Sequence, residues 1–100
     1  MKESARTIAL DLHFAVEFEG AYANLLLPKL LNSSRLDQRD LALAQELAFG
    51  TLRWQLFYDC IIEICAKRNT NEIDEKTLLV LRLGAHQLLG MRIPAHAALD

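Results

Sequence analysis

Apolar residues return every three or four positions along almost the whole chain, and only two prolines and four glycines interrupt them. That spacing is the period of one helix face, and so few turn-formers leave little room for many short strands. The pattern predicts an all-helical domain. Ala5, Ile8, Ala9, Leu12, Ala15 and Val16 form the first stripe, a helix over 4–18 with Ser4 or Glu3 at its start and Gly20 placed to end it. Residues 22–32 are apolar but contain Pro28, which predicts a short or kinked second helix followed by a loop at Asn32–Arg35.

Asp37 reads as the cap of a third helix over 38–53, with Asp40 favouring its positive end. The period resumes through Leu56, Cys60, Ile61, Ile64 and Cys65 in a fourth helix over 55–67, so the joint falls near Arg53–Gln55. Lys67 to Ile73 is a polar connection, and Asp74 caps a fifth helix over 75–90. That helix is apolar nearly all round, with a narrow polar stripe of Arg82 and His86, so it is expected to be buried at the centre. Pro94 and Ala95 open a further helix that runs only about one turn, which predicts a fragment, or a product shortened relative to its relatives.

One hundred residues is a single domain with a modest core. A net charge of −2 argues against binding nucleic acid by bulk positive charge, although a local basic face is compatible with it. The first six residues mix acid and base and lack the apolar run of a signal peptide, and no apolar run is long enough to span a membrane. Cys60 and Cys65 lie five apart on one predicted helix, which suits buried free thiols better than a disulfide. A reducing, cytoplasmic compartment is expected.

Catalysis finds no candidates. His13, His86 and His96 lack metal-ligand spacing and read as surface or half-buried histidines, and no glycine-rich phosphate loop is present. Ser4, Ser33 and Ser34 have no base at motif spacing. Two features remain. Lys2, Arg6 and His13 fall on one flank of the first helix, and Arg53-Trp54 sits at the joint of the third and fourth, with Phe57 three residues on. Guanidinium and aromatic planes are what unpaired bases stack on. The competing reading is that Trp54 and Phe57 pack between helices.

Four stretches together resemble one family. They are Ala5–Leu10, Ala21–Pro28, Asp40–Arg53 (Asp-Leu-Ala-Leu-Ala-Gln-Glu-Leu-Ala-Phe-Gly-Thr-Leu-Arg) and Leu83–Ala98, which contains Met-Arg-Ile-Pro-Ala-His-Ala-Ala. In order and over nearly the whole chain, they are similar to the NusB-like N-terminal domain of the RsmB-type (Fmu-type) ribosomal RNA cytosine-5 methyltransferases. Gly50 and Asp59 also fit the transcription antitermination factor NusB, but Arg92–Ala98 favours the methyltransferases.

The resemblance implies an all-α, compact NusB-like helical bundle of about five helices plus the start of a sixth, forming a single RNA-binding domain over 1–100. In that family the methyl transfer, the S-adenosylmethionine pocket and the catalytic cysteines belong to a later domain. This chain is therefore expected to be non-catalytic, to hold no cofactor, and to assist recognition of ribosomal RNA. Its implied RNA face is Lys2, Arg6, His13, Arg53 and Trp54. The implied partners are ribosomal RNA and a downstream methyltransferase domain or a ribosomal protein. The alternatives are a protein-interaction module of the antitermination kind and a shortened product without activity.

Overall fold

Three of the α-helices begin where a polar side chain takes up one of the first free N–H groups, four of which have no partner within the helix itself. In the computed structural model, which describes residues 3–91, Ser4 starts the first helix with a capping box. Its hydroxyl accepts from the Thr7 N–H at 3.2 Å, and its own N–H donates to the Thr7 hydroxyl at 2.8 Å. This helix, α1, spans Ala5–Glu19 and ends at Gly20, whose φ of 70° is left-handed backbone that a side chain would strain.

Helix α2 spans Ala23–Ser33 and carries Pro28 inside it, so the proline is absorbed on an exposed face without ending the element. Asp37 accepts from the Asp40 N–H at 2.8 Å and starts α3, Gln38–Arg53. Trp54 alone separates α3 from α4, Gln55–Ala66. A short 3₁₀ turn, Thr70–Glu72, follows, held where the Thr70 N–H donates to Glu63 at 2.8 Å. Asp74 accepts from the Thr77 N–H at 3.1 Å, which holds its carboxyl below the usual carboxylate range, and α5 runs from Glu75 to Ala85. A π turn, His86–Gly90, closes it, with the Met91 N–H donating to the His86 carbonyl. No strand occurs among the described residues.

The packing pairs α1 with α3 side by side and parallel. Glu3 accepts from the Arg35 N–H at one end, and His13 meets the Ala48 carbonyl further along both helices. Ala5, Ile8, Ala9 and Leu12 of α1 bury themselves against Ala44, Leu47 and Ala48 of α3, with Leu27 and Leu83 closing the sides. The alanines let the two backbones approach closely. α5 crosses in the opposite sense, since its Arg82 lies toward Glu17 near the end of α1. α4 leans on α5 and buries only Tyr58 and Ile62.

Three expectations are corrected. The fifth helix is not buried all round: its narrow polar stripe, Arg82 and His86, is buried, while Val80, Leu81, Leu88 and Leu89 are exposed. Arg82 and His86 share the i, i+3, i+4, i+7 set with Leu79 and Leu83, and hydrogen-bond partners on α3 and α4 make their burial tolerable. Cys60 and Cys65 are exposed, because the described residues cover α4 on one side only and neither lies on that side. His13 and His86 are buried rather than at the surface. His96 and the helix expected from Ala95 lie outside the described residues.

Candidate nucleic-acid interface

The corner between α3 and α4 is built from the backbone outward. With a single residue between two helices, Trp54 adopts φ −106° and ψ 17°, and its N–H still bonds the Gly50 carbonyl at 3.2 Å. The indole is thereby carried off both helix faces and is 51% exposed. Phe57 touches it edge-on, with centroids 6.3 Å apart and planes at 70°. Arg53 beside it is exposed and makes no ion pair among the described residues. The reading in which Trp54 packs between helices is overturned by this exposure.

A cavity of about 240 Å³ opens under the indole, lined by Trp54, Phe57, Tyr58, Leu89 and Gly90. Its floor is fixed by a chain of hydrogen bonds. The Tyr58 hydroxyl donates to Nδ1 of His86 at 2.7 Å, and Nε2–H of His86 donates to Glu46 at 3.1 Å, the tautomer that satisfies both neighbours. Burial raises the Tyr58 pKa, with the Glu46 carboxylate acting in the same direction, so the phenol keeps its proton as a donor. Gly50 and Gly90 press on the two sides of the His86 ring so closely that a Cβ at either would collide with it.

The other expected site residues divide. Arg6 is exposed on α1, and Gln87, with its amide oxygen turned to the guanidinium, accepts from Nε and Nη2 of Arg6 at 3.2 Å each. Since His13 is level with Ala48, Arg6 is level with Leu41, and Arg53 lies on the order of 18 Å further along at about 1.5 Å per residue. The π turn joins these two ends: Gln87 touches Arg6, while Leu89 and Gly90 line the cavity under Trp54. His13 does not join the band. It is 2% exposed, its Nε2–H donates to the Ala48 carbonyl at 3.0 Å, and burial lowers its pKa against that bond. Lys2 lies outside the described residues.

Sequence reasoning missed the polar seam that supports this corner: buried Tyr58, Arg82 and His86, with part-buried Asp59 and exposed Glu46 as their partners at its edge. Arg82 makes a bidentate pair with Asp59, at 2.7 and 3.0 Å, with Glu17 at 4.0 Å. Its one available signal was that Arg82 and His86 are four apart and fall in register with Leu79 and Leu83. Among the described residues, no cluster of metal-binding side chains occurs and no helix is long and apolar enough to cross a membrane.

Comparison with known proteins is consistent across its sources. The profile of the NusB family matches residues 3–100. A Mycobacterium tuberculosis protein named as a methyltransferase is 43% identical over 98 residues, which cover 98% of this chain and 21% of that protein. Ribosomal RNA small subunit methyltransferase B of Serratia proteamaculans is 43% identical over 97 residues, covering 94% of this chain and 21% of its own. The enzyme of that name from Pseudomonas putida is 39% identical over 79 residues, covering 79% and 18%. The chain thus spans about a fifth of the length of these relatives. No solved structure matches it.

Proposed function

Since the chain belongs to the NusB family, we propose that it is a non-catalytic RNA-binding domain that helps a ribosomal RNA cytosine-5 methyltransferase recognise its substrate. The observation that carries this reading is the extent of the match: relatives named as ribosomal RNA methyltransferases align with this chain over only about a fifth of their length. The methyl-transfer machinery then belongs to the other four fifths, and S-adenosylmethionine with it. The band from Arg6 through Gln87 to Trp54 and Arg53 supplies a surface suited to a cytoplasmic RNA, with guanidinium groups for phosphates and an indole for bases.

The test is binding to small-subunit ribosomal RNA at stepped salt concentrations. Affinity should fall with salt, and each phosphate contact removed should reduce the slope of log K against log salt by about 0.7 on single strands. Arg6→Glu and Arg53→Glu should each weaken binding and flatten that slope, while Glu72→Lys, on the 3₁₀ turn at the far end of α4, should not weaken it. Unchanged affinity and slope in both arginine variants would place the RNA surface elsewhere.

One observation favours a second reading, a protein-interaction module of the transcription-antitermination kind. Leu56, Phe57 and Ile64 of α4 and Val80, Leu81 and Leu88 of the α5 region are all exposed. Apolar side chains gathered on one helical hairpin suit contact with protein better than with phosphates. Capture of a ribosomal protein without measurable RNA affinity would favour this reading over the first.

A further inference from the structure

We propose that the cavity at the α3–α4 corner is a socket for one unpaired nucleobase of RNA, which stacks on Trp54 while Arg53 takes the adjoining phosphate. The inference rests on the RNA-binding reading and adds to it the kind of group this corner accepts.

The shape comes first. A lone tryptophan in a small helical domain has every energetic reason to be buried, since it carries the largest apolar surface of any side chain. Here the one-residue junction holds its backbone rigidly and its ring outward. Phe57 meets the indole at an edge, as a T-shaped pair does, and such a contact leaves a broad indole face free. Leu89 and Gly90 stand on the other side of the gap, and Tyr58 forms the floor. A cavity lined by Trp54, Phe57, Tyr58 and Leu89 offers aromatic and apolar surface on which a base ring can stack, whatever its identity.

The slot is also fixed in advance. Tyr58 is tied to His86 and His86 to Glu46, and Gly90 packs against both rings without space for a side chain. Trp54 is tied to Gly50 through its backbone, and Gly50 packs on the same imidazole. One histidine therefore couples the wall that carries the indole to the wall that carries Leu89. Little conformational freedom remains to be lost when a ring enters, which favours binding.

Charge selects the ligand class. Among the described residues no acidic side chain lines the cavity, Arg53 adjoins it through Trp54, and Gln87, which holds Arg6, lies two residues before Leu89. By contrast, the exposed stripe of α4 and α5 is built of apolar side chains, among them Leu56, Ile64, Val80, Leu81 and Leu88. A protein helix would be served by that stripe alone. A cavity under the indole with Arg53 at its rim matches an unpaired base and its adjoining phosphate, and duplex RNA, whose bases are already stacked, could not enter it.

The single tryptophan makes the test direct, because all indole emission from the chain reports on Trp54. The full chain is titrated with a short oligoadenylate, with the same strand in a duplex, with an abasic ribose-phosphate strand and with inorganic phosphate. The expected result is quenching by the single strand only. Trp54→Ala should weaken single-strand binding roughly 5- to 150-fold with the salt slope unchanged, whereas Arg53→Glu should flatten the slope. Trp54→Phe, which preserves an aromatic wall, should retain part of the affinity and covers the case in which the alanine variant fails to fold.

Three results would overturn the socket. If labelled single strands bind while the emission stays constant and Trp54→Ala or Trp54→Phe binds as tightly as the natural chain, RNA binding stands and the base lies elsewhere. If no RNA probe binds at any salt concentration, the RNA-binding reading fails and takes the socket with it. If acrylamide cannot quench Trp54 in the free chain, or quenches it less as protein concentration rises, the cavity is covered by protein.

Discussion

The α1–α3 pair and the α4–α5 hairpin belong to one small chain, yet they invert each other's chemistry. In the first, the inside is mostly alanine, isoleucine and leucine, with His13 and Thr51 buried beside them, and the outward faces are largely polar apart from Phe14 and Phe18. In the second, the inside holds an arginine, a histidine, a tyrosine and an aspartate joined by hydrogen bonds, and the outside shows Leu56, Phe57, Ile64, Leu81 and Leu88. The apolar pair gains stability from burial in rough proportion to area. The polar seam gains little from being formed and loses much from being half-formed, because each buried partner depends on the other. One region should therefore tolerate conservative change with graded losses, and the other should respond in an all-or-none way.

The largest contrast should appear at Asp59. Asp59→Ala leaves the Arg82 guanidinium buried, with its side chain 5% exposed and only Glu17 nearby at 4.0 Å. A loss of about 3–5 kcal/mol is expected from urea unfolding. Replacing both partners together, Asp59→Leu with Arg82→Met, should recover most of that loss. If the single variant costs less than about 1 kcal/mol, as an exposed pair would, the seam is open to water and the contrast is wrong.

In the apolar pair the corresponding probe is Leu47→Ala, at a fully buried position between α1 and α3. About 2–5 kcal/mol should be lost, scaling with how far the helices close over the space. No second substitution should rescue it in the way Arg82→Met rescues Asp59→Leu.

The glycines sharpen the same comparison at lower cost. Gly50→Ala adds a helix-favouring residue but drives its Cβ into the His86 ring, so a net loss of about 1–3 kcal/mol is expected despite the better propensity. Gly84→Ala, also within a helix, meets nothing nearby and should stabilise by up to about 1 kcal/mol. Equal effects at both positions would mean that His86 moves aside freely.

These two regions were also unequally legible in the sequence. The stripe from Ala5 to Leu12 and its partner from Ala44 to Ala48 each offered one apolar face, so period alone assigned inside and outside correctly. The caps at Ser4, Asp37 and Asp74 were equally plain, since each depends on chemistry within one turn. On α5, however, two faces compete at the same spacing. One contains Leu79, Arg82, Leu83 and His86, and the other contains Leu81 and Leu88. Hydropathy favours the second, and the structure takes the first because Asp59, Tyr58 and Glu46 stand ready to pair with it. Those partners come from α3 and α4, which no local pattern can supply. The exposed cysteines escaped for the same reason, as among the described residues α4 has a neighbour on one side only. At the site, Arg53 and Trp54 were readable as a pair of residue types, whereas the cavity beneath them depends on Leu89 and Gly90 arriving from 35 and 36 residues away.

The titration of His13 gives a smaller and more selective effect. Its pKa is lowered in the fold by burial, with the Arg82 charge adding to the shift, so the folded state holds fewer protons there than the unfolded one. Stability therefore rises with pH across this group's range: it is fully present above about 6.5, the unfolded value, and lost progressively as pH falls below it. His13→Gln keeps an N–H donor within reach of the Ala48 carbonyl and cannot titrate. The loss of urea midpoint between pH 7 and pH 5 should be shallower in that variant, and an identical profile would assign the acid sensitivity to other groups.

The smallest effect on folding should come from the outer face of α4 and α5, and it separates packing from association. Leu88 and Ile64 are 84% and 76% exposed, so in the isolated chain their side chains already meet water. Leu88→Ser and Ile64→Ser should change unfolding stability by no more than about 0.5 kcal/mol each, as surface positions do. The same change at Leu47, which is fully buried, should prevent folding under the same conditions. Association should respond in the opposite order. Apolar side chains on this face favour contact with another surface by about 25 cal/mol per Å² removed from water, so the natural chain should sediment as a concentration-dependent mixture. The double variant Leu88→Ser with Ile64→Ser should shift that mixture toward monomer. A monomer at every concentration for both proteins would show that this hairpin's exposed leucines and isoleucine do not suffice for contact, and the contrast between the two regions would then concern their interiors alone.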